Sequence, residues 1–173
     1  MADTTATAMS RTDQFLDVFA QEAATTLKVL RAYPPDQAEL RPHPTSKSAR
    51  ELAWLFVMEQ GMATAALRDQ LNLPDANSQP PPPPATMSEI VTAFEQGARR
   101  LESLVRGMSD ADLSKTVRFY VAPRQLGDIP KMAFLWFLLH DQIHHRGQLS
   151  VYLRMTGSKV PSIYGPSGDE PWF

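Results

Sequence analysis

Apolar residues recur at helical spacing in four long segments of this chain, and the prolines gather almost entirely between them. A stripe that returns every three to four residues marks a helix burying one face, so the pattern predicts an all-α protein: a four-helix bundle with a long proline-rich crossover between helices 2 and 3. The first helix is expected over residues 11–32, with Phe15, Phe19, Ala23, Leu27 and Leu30 on one stripe and Pro34-Pro35 as its stop. The second, over 46–71, follows His43-Pro44, takes Thr45 or Ser46 as its cap and buries Leu52, Leu55, Phe56, Met62 and Ala66. The third, over 88–108, is opened by Ser88 and carries Ile90, Phe94, Ala98, Leu101 and Val105, with Arg99-Arg100 off the stripe in solvent. The fourth, over 130–155, has Pro130 in its first position and Gly157 just beyond its last turn.

The joints are distinctive. Pro74 and the run Pro80 to Pro84 cannot be helical and predict an extended polyproline crossover inside one domain spanning residues 1–173. Residues 109–128 are polar and irregular, with a short turn at Asp110 to Leu113 and a short strand at Val117 to Val121. The tail, residues 158–173, is rich in Pro and Gly and is expected to be ordered by docking on the bundle.

Composition narrows the function classes. A chain of 173 residues is long enough to bury its own core, and the absence of cysteine excludes thiolate nucleophiles, thiolate zinc sites and iron–sulfur clusters. With a net charge of −2 and no window that concentrates Lys and Arg, nucleic acid is not an expected partner. The first ten residues lack a basic stretch followed by an apolar one, and the longest apolar run, Met132 to Leu139, falls far short of the roughly 20 residues that span a membrane. A cytoplasmic protein acting on a small-molecule substrate is the reading. The same run is apolar on nearly every side of its helix, which predicts a homodimer.

Candidate chemistry is concentrated in His140-Asp141-Gln142-Ile143-His144-His145-Arg146-Gly147-Gln148. Two pairs at spacing i,i+4 are present, His140 with His144 and Asp141 with His145, and either puts two donors on one helical face as a divalent metal needs. The two faces are about 100° apart, so they cannot serve one site equally, and spacing leaves both pairs open. Gln142 and Arg146 are expected to face water. In the second helix Glu59 falls on the apolar stripe, where an unpaired carboxylate is costly, so it should meet a metal, a histidine or a cation such as Arg50 or Arg146. His140-Asp141-x-x-His144 imitates the zincin signature, but no third ligand follows at zincin spacing.

His144-His145-Arg146-Gly147-Gln148-Leu149, followed by Val151-Tyr152-Leu153-Arg154 and Lys159-Val160-Pro161-Ser162-Ile163-Tyr164-Gly165-Pro166, closely resembles the DinB (damage-inducible, YfiT-like) family. The resemblance extends to His43-Pro44 and Glu51-Leu52-Ala53-Trp54 and covers most of the chain. It implies a four-helix bundle, often dimeric, holding a divalent metal such as Zn²⁺, Ni²⁺ or Mn²⁺ by one histidine of the second helix and two of the fourth. Carried over, His145 matches, Asp141 stands where histidine is usual, and Leu55 occupies the second-helix position. Glu59, one turn beyond Leu55, supplies the missing donor and completes a set of Glu59, Asp141 and His145. The resemblance further implies a metal-dependent enzyme, a thiol-dependent S-transferase or a hydrolase, with a low-molecular-weight thiol as a further cofactor. In that scheme His144 or His140 acts as base, Gln148 braces His145, and Tyr164 closes over the site. The rival class is a non-catalytic dimeric binding or stress-response module that has lost the metal, which Leu55 favours.

Overall fold

The computed structural model of the protein describes residues 9–73 and 80–173. The expectations placed on the first eight residues and on Pro74 lie outside that range. Four long helices, α1 (Arg11–Ala32), α2 (Ala49–Leu67), α3 (Met87–Arg106) and α5 (Lys131–Met155), are joined by a short helix α4 (Asp110–Ser114) and an antiparallel hairpin of β1 (Thr116–Ala122) and β2 (Gln125–Pro130). In the bundle α1 and α2 each pack against both α3 and α5 and so stand diagonally opposite each other.

The contacts fix the helix directions. Phe15 meets Trp136 and Glu22 meets Arg146, so α1 and α5 run the same way. Lys131 reaches the C-terminal end of α2 while Glu59 meets His145, so α2 and α5 are antiparallel. Phe56 packs on Phe94 and Gln60 on Gly97, so α2 and α3 run in parallel. Parallel neighbours require the chain to travel back the length of a helix, and the proline run provides that return strand. It lies along the outer face of α2, where Trp54 Nε1 donates to the Pro81 carbonyl (3.1 Å) and Arg50 Nη1 to that of Pro84 (2.9 Å).

Local chemistry places the ends. Helix α2 begins at Ser48, not at Thr45 or Ser46, because Ser48 and Glu51 form a reciprocal capping box, with Ser48 N donating to Glu51 Oε2 at 2.8 Å. Thr86 with Glu89 does the same for α3, displacing Ser88 from the expected cap. Pro130 is the last residue of β2 and the N-cap of α5, one position before the place expected for it. Gly157, at φ 77°, terminates α5 as predicted. The strand expected at Val117 to Val121 is longer and has a partner, β2, whose alternating pattern the sequence reading did not separate from a loop.

The hairpin changes the account of the apolar run in α5. Phe119 packs on Phe134 at 4.9 Å and Trp136 packs edge-on against Phe15, so Phe134, Leu135, Leu138 and Leu139 are buried within one chain. Phe137 stays exposed with its ring 6.0 Å from Phe119, and Tyr120, Val121 and Leu126 of the hairpin are exposed as well.

The core falls into two apolar halves, one built around Phe15, Phe19, Leu101 and Phe134, the other around Leu30, Phe56, Phe94 and Leu153. Between them runs a polar belt to which every long helix contributes: Glu22 and Thr26 from α1, Glu59 and Gln60 from α2, Gly97 from α3, Gln142 and Arg146 from α5. Gly97 leaves room for the Gln60 side chain, whose amide end would have to shift to admit a Cβ there.

Candidate metal centre

The belt contains two separate clusters, one on each side of α5. Between α1 and α5, Arg146 is 1% exposed, pairs with Glu22 Oε2 at 2.6 Å and donates to the Glu22 carbonyl (3.2 Å) and Thr26 Oγ1 (3.4 Å). Tyr164 from the tail completes it: its hydroxyl accepts from Arg146 Nη2 (2.7 Å) and donates to Glu22 Oε2 (2.9 Å). Gln142 Nε2 donates to Thr26 Oγ1 at 3.2 Å. Gln142 and Arg146 are therefore inside the bundle, contrary to the expectation that they face water. Arg146 and Arg50 do not answer Glu59 either, since Arg50 pairs with Glu39.

Between α2 and α5 the structure brings together Glu59, Asp141 and His145. His145 Nδ1 lies 3.3 Å from Glu59 Oε1 and 3.6 Å from Asp141 Oδ1, and one ligand atom from each residue lies within 4.8 Å of the others. The i,i+4 spacing stacks Asp141 and His145 on one face of α5, and the antiparallel packing of α2 sets Glu59 opposite them. Glu59 is 4% exposed, whereas Asp141 lies at the rim.

The electrostatics of this set are unbalanced. Burial pushes the Glu59 carboxyl up to about 7, and the Asp141 carboxylate adds to the rise against the opposing pull of His145. The His145 imidazole is also raised, chiefly by its hydrogen bond to Glu59. Among the described residues Glu59 Oε2 has no hydrogen-bond partner although it is buried. Two carboxylates and an imidazole converging around an orphaned buried oxygen form the donor set that a divalent cation satisfies, so the residues present fit a metal.

The remaining predicted residues are placed differently. His140 and His144 lie on the exposed side of α5, His140 beside Trp136 and His144 beside His145 with ring centroids 5.3 Å apart. The His140–His144 face thus points away from the bundle. Gln148 Nε2 donates to His144 Nε2 at 3.0 Å and does not brace His145. Tyr164 covers the Arg146–Glu22 pair, so it does not close over Glu59, Asp141 and His145. Leu55 is half-buried against the second apolar half.

Sequence reasoning missed Glu22, Thr26 and Gln60. Glu22 carried the same signal as Glu59, an acid on the apolar stripe of its helix, one position before Ala23. Lys131 was missed too: it is 1% exposed, and its Nζ donates to the Leu67 carbonyl (3.1 Å) and pairs with Asp69 (2.7 Å), tying the start of α5 to the end of α2.

Among the described residues no helix is long and apolar enough to cross a membrane. The sequence is 27% identical over 160 residues to the uncharacterized protein YrdA of Bacillus subtilis strain 168, covering 91% of this chain and 90% of that protein. The fold is similar to that of a DinB-like protein from Bacillus cereus ATCC 10987, with a TM-score of 0.71, 22% identity and coverage of 87% of this chain and 95% of that one. It is also similar to that of YfiT from Bacillus subtilis, a probable metal-dependent hydrolase with an unusual four-helix bundle topology, at a TM-score of 0.61, 11% identity and coverage of 92% and 95%. The profile of the DinB family matches residues 4–171, nearly the whole length, and the chain belongs to that family.

Proposed function

We propose that this protein is a metal-dependent enzyme acting on a small molecule, a thiol-dependent S-transferase or a hydrolase. The observation that carries this reading is the convergence of Glu59, Asp141 and His145 beside a buried carboxylate oxygen that, among the described residues, has no hydrogen-bond partner. The likeness in fold to YfiT, itself a probable metal-dependent hydrolase, supports it.

Glu59, Asp141 and His145 would hold a divalent ion, and such an ion supplies Lewis-acid polarisation and lowers the pKa of a bound water or thiol. The rest falls to the chain's own groups. Glu59, fixed by burial, sets the inner wall of the site. Asp141, at the rim, leaves one side open to a substrate. His144 is better placed than His140 to accept a proton at that opening, because its partner Gln148 lines the surface cleft beside His145, whereas His140 lies against Trp136.

Metal content and calorimetric titration of the chain purified without an affinity tag test the reading. One divalent ion per chain, lost in Asp141→Ala and His145→Ala and kept in His140→Ala, is expected. Absence of binding would overturn the enzyme and favour the non-catalytic module to which Leu55 points. We further propose a homodimer, supported by the exposed apolar side chains Phe137 of α5 and Tyr120, Val121 and Leu126 of the hairpin. Sedimentation as a monomer at micromolar concentration would remove it.

A further inference from the structure

A cleft of about 500 Å³ opens beside His145, between α5 and the segment that leads into α2. Its walls include Ser46, Lys47, His145, Gln148, Val151 and Tyr152, with Leu52 at the base. That volume is in the range of small-molecule sites. The α5 wall follows from sequence: residues 145, 148 and 152 share a face, so the cleft continues the side of the helix that carries the candidate metal donors.

Among the described residues Lys47 is the one lysine or arginine that lines this cleft. Its backbone is anchored, because Tyr152 from α5 donates its hydroxyl to the Lys47 carbonyl at 3.2 Å and the next residue, Ser48, is the buried cap of α2. The neighbouring arginines are committed: Arg41 pairs with Glu51 and Arg50 with Glu39. Among the described residues the Lys47 ammonium enters no hydrogen bond or ion pair, and it shares the cleft with His145. The amides of the first turn of α2 are no alternative anion site, since those of Ala49, Arg50 and Glu51 are bound by Leu40, Ala38 and Ser48. An anion in this cleft therefore finds its fixed positive charge at Lys47, with the Ser46 hydroxyl and the Gln148 amide as neutral donors beside it.

We infer that the substrate of the site is a small-molecule carboxylate, held by Lys47 with its apolar body against Leu52, Val151 and Tyr152 and its reacting group turned toward His145. A single lysine beside neutral donors matches a singly charged carboxylate better than a doubly charged phosphate monoester. This inference rests on the proposed function for the direction of the reacting group only. The carboxylate subsite itself needs no metal.

The test uses hexanoate as probe and the neutral hexanamide as its control, followed by amide chemical shifts on the full chain. Wild type, Lys47→Met, Lys47→Arg and the charge control Arg100→Met are compared, each metal-free and zinc-loaded. In the metal-free chain hexanoate should shift the amides of residues 46–48, 145, 148 and 152. It should bind about fivefold more tightly than hexanamide, the upper range for a partly exposed ion pair. Lys47→Met should abolish that preference, while Lys47→Arg and Arg100→Met retain it. Hexanoate binding that is unchanged in Lys47→Met, or that moves amides elsewhere, overturns the subsite. Binding that requires zinc and survives Lys47→Met shows the carboxylate on the metal, which overturns the subsite and supports the metal reading. Hexanoate binding to a chain that takes up no zinc leaves the subsite standing and the metal reading fallen.

Discussion

Two polar clusters flank α5, and adjacent residues begin them. Arg146 turns toward α1 and finds Glu22, Thr26 and Tyr164; His145, about 100° around the helix, turns toward α2 and finds Glu59 and Asp141. The first cluster is balanced, one cation against one carboxylate, with the guanidinium and the carboxylate further tied to neighbouring hydroxyls. The second holds two carboxylates against an imidazole and leaves a buried oxygen without a partner. Both sit in the same belt between two apolar halves, so burial alone does not distinguish them. Charge balance does: the first cluster is complete as protein, whereas the second presents a donor set that a divalent cation would satisfy.

The largest expected effect breaks the balanced side. Arg146→Leu strands the Glu22 carboxylate in the core, and removing one partner of a buried pair costs about 3–5 kcal/mol. For a chain of this size that lowers Tm by roughly 6–20 °C, read by calorimetry. Glu59→Gln should do the reverse in the metal-free protein at pH 8, raising Tm, because it removes a buried ionised group whose cost the His145 hydrogen bond offsets only in part. Equal losses in both variants would mean that the two clusters are structurally alike.

Metal binding sharpens the contrast next. Glu59→Gln, Asp141→Ala and His145→Ala should each weaken affinity beyond the roughly 10- to 100-fold typical of a change outside the ligands, whereas Thr26→Ala and His140→Ala should stay within that range. Calorimetric titration gives the order.

A smaller effect is the pH dependence of the metal-free chain. Glu59 is raised to about 7 and His145 is raised as well, so from the ordinary carboxylate range upward the folded state binds more protons than the unfolded one. Stability contributed by this pair is fully present below the ordinary carboxylate range and is lost as pH rises through 7. A bound metal reverses the trend, because its ligands must be deprotonated and affinity rises with pH. Thermal melts of metal-free and zinc-loaded protein across pH 5 to 8 should therefore diverge, and the metal-free slope should flatten in Glu59→Gln.

The sequence made one of these clusters readable and marked only Glu22 of the other. Glu59 was exposed by its own helix, as an acid interrupting an apolar stripe, and Asp141 with His145 by i,i+4 spacing. Those signals are local. Arg146 is buried because Glu22 waits for it 124 residues earlier, a pairing that no periodicity within α5 reveals, and the same blindness assigned Gln142 to solvent. Choosing between the His140–His144 and Asp141–His145 faces needed the opposite helix as well. The helices themselves were legible for the same reason that Glu59 was, since each buries a stripe. Caps slipped where several hydroxyls compete: at the start of α2 the reciprocal partner Glu51 selects Ser48 over Thr45 and Ser46.

The smallest predicted effect concerns Tyr164, the point at which the tail enters the balanced cluster. Its side chain bridges Arg146 and Glu22 through one hydroxyl, and its ring lies 5.1 Å from the guanidinium carbon. Tyr164→Phe keeps the ring and deletes both hydrogen bonds. The Arg146–Glu22 pair survives it, so no charge is stranded, and the loss should be about 1–2 kcal/mol, or roughly 2–8 °C in Tm. Protease cleavage within residues 158–173 should accelerate, because the docked tail has lost an anchor. Metal affinity should be unchanged, since Tyr164 acts on the α1 side of α5 and the donors lie on the α2 side. A Tyr164→Phe chain that binds metal tenfold more weakly would show that the two clusters are coupled through α5, and that the tail belongs to the site after all.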